Sequence, residues 1–404
     1  MEKIEYAQPQ LIVYRAAQLV ANAFAAYVFK REYIRNEIKN AEGAYVVIAN
    51  HQAAYDFANL IGATKRRLTF VISNSFYNSL PITGILHRLG VIPKQQFQTS
   101  VSDMRRIKAV IENGQPLVIY PAGLMCEDGI STPIPQATYK FLKWLDADVY
   151  VARASGTYFT MPKWTKGFRP GKTYMDIYKL FDRAELKKMS VGQVKAKTDE
   201  AILFDAYREQ ETILAEYKNN GNIEGIENVL YACPHCGGEF TVKVKNRSTI
   251  YCTECGFEQS SDKYGFLHNT DALKEIRYIS DWSKAIFKRH SAMLRKNPDY
   301  TISAKTRIFM LDYKKHKFKW VGLGELSLGR DKFNIKGRIN GEEVNLNIPS
   351  SKLPTLPFKP GKYLEVQQGE DIYRCALDDG RLVMKFINTL KAFFEINNPI
   401  SGEK

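Results

Sequence analysis

The hydrophobic pattern divides the chain into regions of different period. From about residue 45 to 181, short apolar runs alternate with stretches of helical spacing. Runs at 45–49 (YVVIA), 67–73, 90–93, 116–121 (PLVIYP), 148–154 and 174–181 predict strands. Segments 75–88, 102–113 and 135–145 predict helices, the second stopped by Gly114. This alternation predicts an α/β layer with a mostly parallel sheet, whose ligands sit beyond strand ends. Residues 191–218 read as helix, and Asn219-Asn220-Gly221-Asn222 marks a domain boundary. From 300 to 376 the period falls to two, in short runs separated by turns at Asn340-Gly341, Pro360-Gly361 and Gly369. That pattern predicts an antiparallel barrel or sandwich, closed by a helix over 380–394.

Two helices carry apolar faces of a different kind. Leu11–Phe29 has only Arg15, Gln18 and Asn22 as polar residues, at spacings that form one stripe on a helix. The length would just span a bilayer, but an arginine and two amides favour a helix lying in the membrane interface. The alternative is a core helix of a soluble domain. A second amphipathic helix, 281–296, sets Trp282, Ile286 and Met293 against Lys284, Lys288 and Arg295; it is either interfacial or docked on a neighbouring domain. The expected organisation is an N-terminal interfacial helix (1–40), an α/β domain (41–220), a metal-binding segment (228–262), a linker with a basic helix (263–299) and a small β-rich domain (300–398).

Charge sharpens this picture. The net charge is +15, and it is localised. Residues 140–190 hold eleven Lys/Arg against five acidic residues, and 281–320 hold eleven against three. Such surfaces suit an anionic bilayer or nucleic acid, and also phosphate-bearing small molecules; the bland alternative is a solvated Lys/Arg face. Arg153, Lys163, Lys166, Arg169 and Lys172, interleaved with Tyr158, Phe159, Trp164 and Phe168, predict a basic-aromatic rim in which Arg169 contacts substrate. No cleavable signal is read in the first residues, and the cysteine usage suits a reducing compartment. Four of the six cysteines form Cys233-x2-Cys236-x15-Cys252-x2-Cys255. Two knuckles separated by a hairpin's length supply four thiolates to one tetrahedral ion. The segment resembles a zinc ribbon, and with every position filled by sulfur the zinc is expected to be structural. His235 is expected to face solvent.

The candidate chemistry lies at the end of the first buried strand. Asn50 and His51 follow it, and Asp56 comes five residues after the histidine. On a continuous helix those two side chains would stand about 140° apart, so they meet only if the chain turns between them. Once together, the carboxylate fixes the imidazole tautomer and leaves the other nitrogen as a general base. A second strand, 116–121, ends in Pro121-Ala122-Gly123. Gly123 offers either backbone donors to an oxyanion or a plain turn. Cys126 reads as a buried, unreactive thiol.

Asn50-His51…Asp56, Gly90-Val91-Ile92-Pro93-Lys94-Gln95-Gln96 and Tyr120-Pro121-Ala122-Gly123 together resemble, in order and spacing, the three blocks of the glycerolipid acyltransferase family. The resemblance covers about residues 40–190 and implies an acyltransferase-type α/β domain. His51 and Asp56 would then be catalytic, and Asn50, Lys94, Pro121, Gly123 and Arg169 would bind substrate. Two departures affect the acceptor: Ala122 stands where the family has glutamate, and Gln96 where it has arginine, with Lys94 the nearest cation. Glu127 and Asp128 are candidates to replace the missing carboxylate. The β-rich end with its closing helix resembles a pleckstrin-homology-type barrel.

These readings converge on a membrane-associated O-acyltransferase. It would move a fatty acyl group from acyl-CoA or acyl-carrier protein to the hydroxyl of a lysophospholipid such as 1-acylglycerol-3-phosphate. The expected partners are the acceptor, the acyl donor and an anionic membrane surface at the cytoplasmic face, to which the protein binds peripherally. Nucleic acid is not expected as a partner. The alternative is a nucleic-acid-binding or assembly module built on the ribbon and basic face, and the two departures leave room for an inactive scaffold.

Overall fold

The computed structural model describes residues 8–96, 100–268 and 275–399. The first seven residues of the expected N-terminal segment and residues 269–274 of the expected linker lie outside the described residues. The chain forms two compact units, Met1–Pro162 with Lys166–Asn220, and Lys163–Thr165 with Gly221–Lys404.

Among the described residues the first unit carries α1 (Leu11–Phe24), a π-helical turn (Ala25–Phe29), β1 (Arg31–Asn36), β2 (Tyr45–Ala49), α2 (Phe57–Leu60), β3 (Thr69–Ser73), α3 (Asn74–Asn78), α4 (Thr83–Arg88) and β4 (Ile92–Lys94). Then follow α5 (Val101–Glu112), β5 (Leu117–Ile119), α6 (Ala137–Leu145), β6 (Asp148–Ser155), α7 (Thr157–Thr160), β7 (Thr173–Phe181), α8 (Arg183–Lys188), α9 (Val191–Ile202) and α10 (Ala206–Ile213). The strand order is β1-β7-β6-β2-β5-β3-β4. β6, β2, β5, β3 and β4 run parallel, and β7 is antiparallel to β6.

β2 is buried along its whole length because helices cover both faces of the sheet. Val46 and Ile48 pack into one core with Ile107, Val110, Leu117 and Leu142. Tyr45 and Val47 point into the other, with Tyr14, Val28 and Phe29. A continuous apolar run is what a strand buried on both faces requires.

Two predicted helices are broken. The 75–88 segment splits into α3 and α4 around Pro81, which lacks the amide an unbroken helix needs. The 191–218 segment splits because Asp205 accepts from the amides of Tyr207 and Arg208, capping α10 as a separate helix. Within the expected N-terminal segment, Arg31–Asn36 form β1, which pairs in parallel with β7 at the sheet edge.

α1 is core on one side and open on the other. Tyr14 and Ala21 are buried, with Ala25 and Val28 continuing that face. The polar stripe also faces the protein. Arg15 donates to Lys65 O, Gln18 to the carbonyls of Ile61 and Thr64, and the Asn22 side chain lies against Gly62. A Cβ at Gly62 would come within 1.8 Å of Asn22 Oδ1, so this approach needs glycine. Ile12, Leu19, Val20 and Tyr27 remain 70–85% exposed. By length and composition Leu11–Phe29 is also long and apolar enough to cross a membrane.

Among its described residues the second unit carries β8 (Val242–Lys245), β9 (Thr249–Cys252), β10 (Glu258–Ser261), β11 (Leu267–His268) and α11 (Ile279–Lys296). It continues with β12 (Ile302–Asp312), β13 (Lys317–Leu328), β14 (Lys332–Ile339), β15 (Glu342–Pro349), β16 (Phe358–Lys359), β17 (Tyr363–Gln368), β18 (Asp371–Leu377) and α12 (Leu382–Asn397). β8 to β11 form one small sheet beside the cysteine knuckles. The rest form an antiparallel sheet in the order β15-β14-β13-β12-β18-β17-β16. α11 is a docked helix. Trp282 is fully buried, its indole N–H donating to Ala232 O at 2.8 Å, so the interfacial alternative for this helix is corrected.

Candidate active site and metal-binding cluster

β2 ends at Ala49, and the next residue prolongs its pairing through a side chain. Asn50 Nδ2 donates to Ala154 O at 2.7 Å, and its Oδ1 accepts from Ala154 N at 2.8 Å. The amide mimics one more backbone step of the ladder with β6. Gln52 anchors the following turn, donating to Ala154 O and accepting from Thr157 Oγ1 and Tyr158 N. Between these anchors His51 is partly exposed.

The chain turns at 53–56, where Asp56 N donates to Ala53 O, and α2 starts only at Phe57. This turn brings the pair together. His51 Nδ1 lies 3.0 Å from Asp56 Oδ2. The same oxygen accepts from Gln52 N at 2.7 Å and Ala53 N at 2.9 Å. Two backbone N–H groups thus converge on the buried carboxylate oxygen that faces the imidazole. An ionised Asp56 can only accept, so Nδ1 carries the proton and Nε2 is the basic nitrogen.

Tyr120, just after β5, lies tilted against the imidazole with ring centroids 4.5 Å apart. Burial, and then the negative charge of Asp56, push its phenol well above the ordinary range, so it stays protonated. Neither Tyr120 nor Gln52 was singled out from sequence as a site residue. Both stand next to residues that were, at the ends of buried strands, and that adjacency was the available signal.

The other sequence-predicted residues lie at varying removes. Pro121 is buried in the turn after β5. Gly123 has φ +71°, and its N–H donates to Tyr120 O at 3.0 Å. Of its two readings this is the turn glycine, because that amide is already used. Gln96 Nε2 donates to Gly123 O at 2.6 Å, so the loop after β4 curls back to the loop after β5. Lys94 ends β4, three strands from β2 in the sheet, or roughly 14 Å at ordinary strand spacing. Its ammonium donates to Gln95 O, and burial lowers its pKa against the opposing pull of Asp103.

Arg169 is not on a rim. It is 6% exposed and points at Asn220, with Nη1 3.4 Å from Oδ1. Tyr158 and Phe159 are likewise buried, packed on Tyr207, and Arg153 pairs with Glu209 at 2.7 Å. The expected basic-aromatic rim is therefore corrected: most of its aromatic residues fill a core, which the interleaving of cations concealed. Phe168 is an exception. It contacts Phe24 of α1 and Tyr55, forming an aromatic ridge beside the His51–Asp56 turn. Cys126 is buried, and burial with the charges of Asp128 and Glu127 drives its thiol pKa far up. Asp128 Oδ1 accepts from Ile130 N.

In the second unit Cys233, Cys236, Cys252 and Cys255 place their sulfurs within 4.8 Å of one another. Cys233–Cys255 and Cys236–Cys252 are both 3.7 Å apart. Four sulfurs about 2.3 Å from a tetrahedral ion would stand about 3.8 Å from each other, so the cluster fits a metal such as zinc. Gly238 N and Thr241 Oγ1 lie within hydrogen-bonding range of Cys236 and Cys252, as donors to thiolates would.

A mostly parallel α/β sheet with a histidine–aspartate pair beyond a central strand end defines the class of the first unit. Residues 28–160 match the Acyltransferase family. Solved structures that it resembles include the 1-acyl-sn-glycerophosphate (LPA) acyltransferase PlsC from Thermotoga maritima. The identity is 16%, over 50% of this chain and 78% of that one, with a TM-score of 0.41. Comparison with curated proteins gives no match.

Proposed function

We propose that the protein transfers a fatty acyl group from a thioester, acyl-CoA or acyl-carrier protein, to the hydroxyl of a lysophospholipid at a membrane surface. The observation that carries this reading is the 3.0 Å contact of His51 Nδ1 with a buried Asp56. His51 Nε2 takes the hydroxyl proton as the acceptor oxygen attacks the thioester carbonyl. Collapse of the tetrahedral intermediate breaks the C–S bond. The imidazolium returns the proton to the departing thiolate, leaving an ester and a free thiol. Asp56 holds the imidazole and favours its charged form during the step. Asn50, Lys94 and the Pro121–Gly123 turn border the acceptor side, with Asn50 and Gln96 acting by holding loops in place.

The exposed apolar face of α1 supports peripheral attachment to the cytoplasmic face of a membrane. Burying a large aliphatic side chain is worth about 1.5–3 kcal/mol, and Ile12, Leu19 and Val20 stand open. The ridge of Phe24, Tyr55 and Phe168 runs from that helix to the turn bearing Asp56, which suits an acceptor delivered from a bilayer.

We further assign residues 228–262 to a zinc ribbon with a structural ion, and 300–398 to a pleckstrin-homology-like domain. The order of the seven strands and the closing α12 support the latter. The test of the reaction is to offer purified protein a panel of lysolipids with acyl-CoA or acyl-carrier protein and identify products by mass. A diacyl product from at least one pair is expected. No acylated product from any pair, with the folded protein in hand, would overturn the reading.

A further inference from the structure

The long sheet of the second unit has a face that neither the reaction nor the metal cluster uses. Ile302, Ile308, Leu326, Leu328, Phe333 and Ile335 are buried on one side of β12, β13 and β14. Residues between them stand on the other. There Leu323 lies in register between Arg307 and Arg338, and Glu325 between Lys305 and Lys336. Past a bulge in β13, Phe309 lies between Trp320 and Arg374. Trp320 and Leu323 are each 61% exposed. Residues 301–341 hold ten Lys/Arg against three acidic residues.

Beside this patch a shallow cleft of about 500 Å³ is lined by Arg307, Phe318, Lys362, Tyr363, Arg374 and Asp378, among others. Arg374 is held rigid there. Its Nε and Nη2 both donate to Glu365, and its guanidinium lies 3.6 Å from the Phe318 ring centroid and 4.1 Å from that of Tyr363. Lys359 has its pKa lowered, first by burial and then by the repulsion of Lys362 and Arg374. Cations are therefore crowded together with few counter-charges, next to large apolar side chains left in water.

We propose that this face, centred on Trp320 and Leu323 and flanked by Arg307, Lys336 and Arg338, docks on an anionic lipid bilayer. Charge complementarity selects an anionic surface, where each nearby Lys or Arg adds about a factor of five in affinity. The exposed side chains choose between anionic surfaces. Tryptophan settles at the headgroup boundary and leucine inserts into the acyl region, whereas a nucleic acid stacks on rings and has no use for leucine. The proposal gives the membrane partner proposed above a surface. Its test reads binding, not turnover, so the two can fail separately.

The experiment is flotation of the full chain with vesicles of phosphatidylcholine alone or mixed with phosphatidylserine, at low and high salt. Wild type is expected to prefer the anionic vesicles, a preference that salt weakens. The triple variant Arg307→Gln, Lys336→Gln, Arg338→Gln should bind them roughly 100-fold less tightly and keep its binding to neutral ones. Trp320→Thr with Leu323→Thr should weaken binding to both, and thermal unfolding should be unchanged in each variant. Anionic vesicles should blue-shift the tryptophan emission of wild type, and Trp320→Phe should lose that shift. Wild-type flotation by both variants would overturn the proposal. So would vesicle binding that survives the substitutions while salt-sensitive binding to single-stranded RNA is lost.

Discussion

One oxygen of Asp56 accepts from His51, from Gln52 N and from Ala53 N, and this convergence sets the local chemistry. The two amides donate to the same oxygen that faces the imidazole, so it meets Nδ1 as an acceptor and backbone geometry sets the histidine tautomer. Asn50 and Gln52 then fix the backbone by bonding across to Ala154. A second histidine sits in a different setting. His290, on α11, is buried with its Nε2 2.8 Å from Thr389 Oγ1. Burial first, and then the charge of Lys385 against the partial relief of Glu239, lower its pKa from 6.5 to about 4. The folded state therefore holds it neutral while the unfolded chain protonates it below 6.5. The stability it contributes is complete above pH 6.5 and is lost as pH falls through about 4, amounting to about 3 kcal/mol. Denaturant unfolding at pH 7 and pH 4.5 should show a steeper loss in wild type than in His290→Gln. Equal pH slopes would show that His290 contributes nothing to the acid sensitivity.

At the scale of elements, α1 and the cysteine knuckles show how pattern and context divide the work. The stripe of Arg15, Gln18 and Asn22 would ordinarily face water. Here it faces the protein, because the loop after α2 presents carbonyls at Ile61, Thr64 and Lys65 that need donors. The apolar side chains on the far side are left exposed, which spacing alone could not decide. β1 was illegible for a related reason: it is an edge strand, and REYIRN sets Tyr33 and Ile34 side by side among charged and polar residues, so no period of two registers. The knuckles were legible because metal ligation imposes a covalent-like spacing that no tertiary context changes. Purified protein is expected to carry one zinc per chain. Cys252→Ser should lose it and raise hydrogen exchange through residues 233–260, leaving protection in the α/β sheet intact. Metal-free protein, purified without chelator, with full protection over 233–260 would contradict the assignment.

For the whole molecule, the sheet of the first unit was legible where strands are buried on both faces, and so was the pairing of His51 with Asp56, which needs only a strand, a turn and a helix start. The placement of Arg169 was not. A cation among aromatics reads the same whether the cluster is a surface rim or, as here, an interior with Asn220 to meet the guanidinium. Lys94 shows the same limit, since sequence order cannot report that β3 and β5 lie between β4 and β2. In the proposed function both units address lipid: a base beside an aromatic ridge in one, a basic face with open apolar side chains in the other. The central claim is that His51 is the general base of acyl transfer. The measurement that tests it is the turnover of purified His51→Ala against wild type, on a lysolipid and thioester pair that wild type converts. A fall of roughly 10²–10⁴-fold with an unchanged circular dichroism spectrum is predicted. Turnover close to wild type would contradict the account.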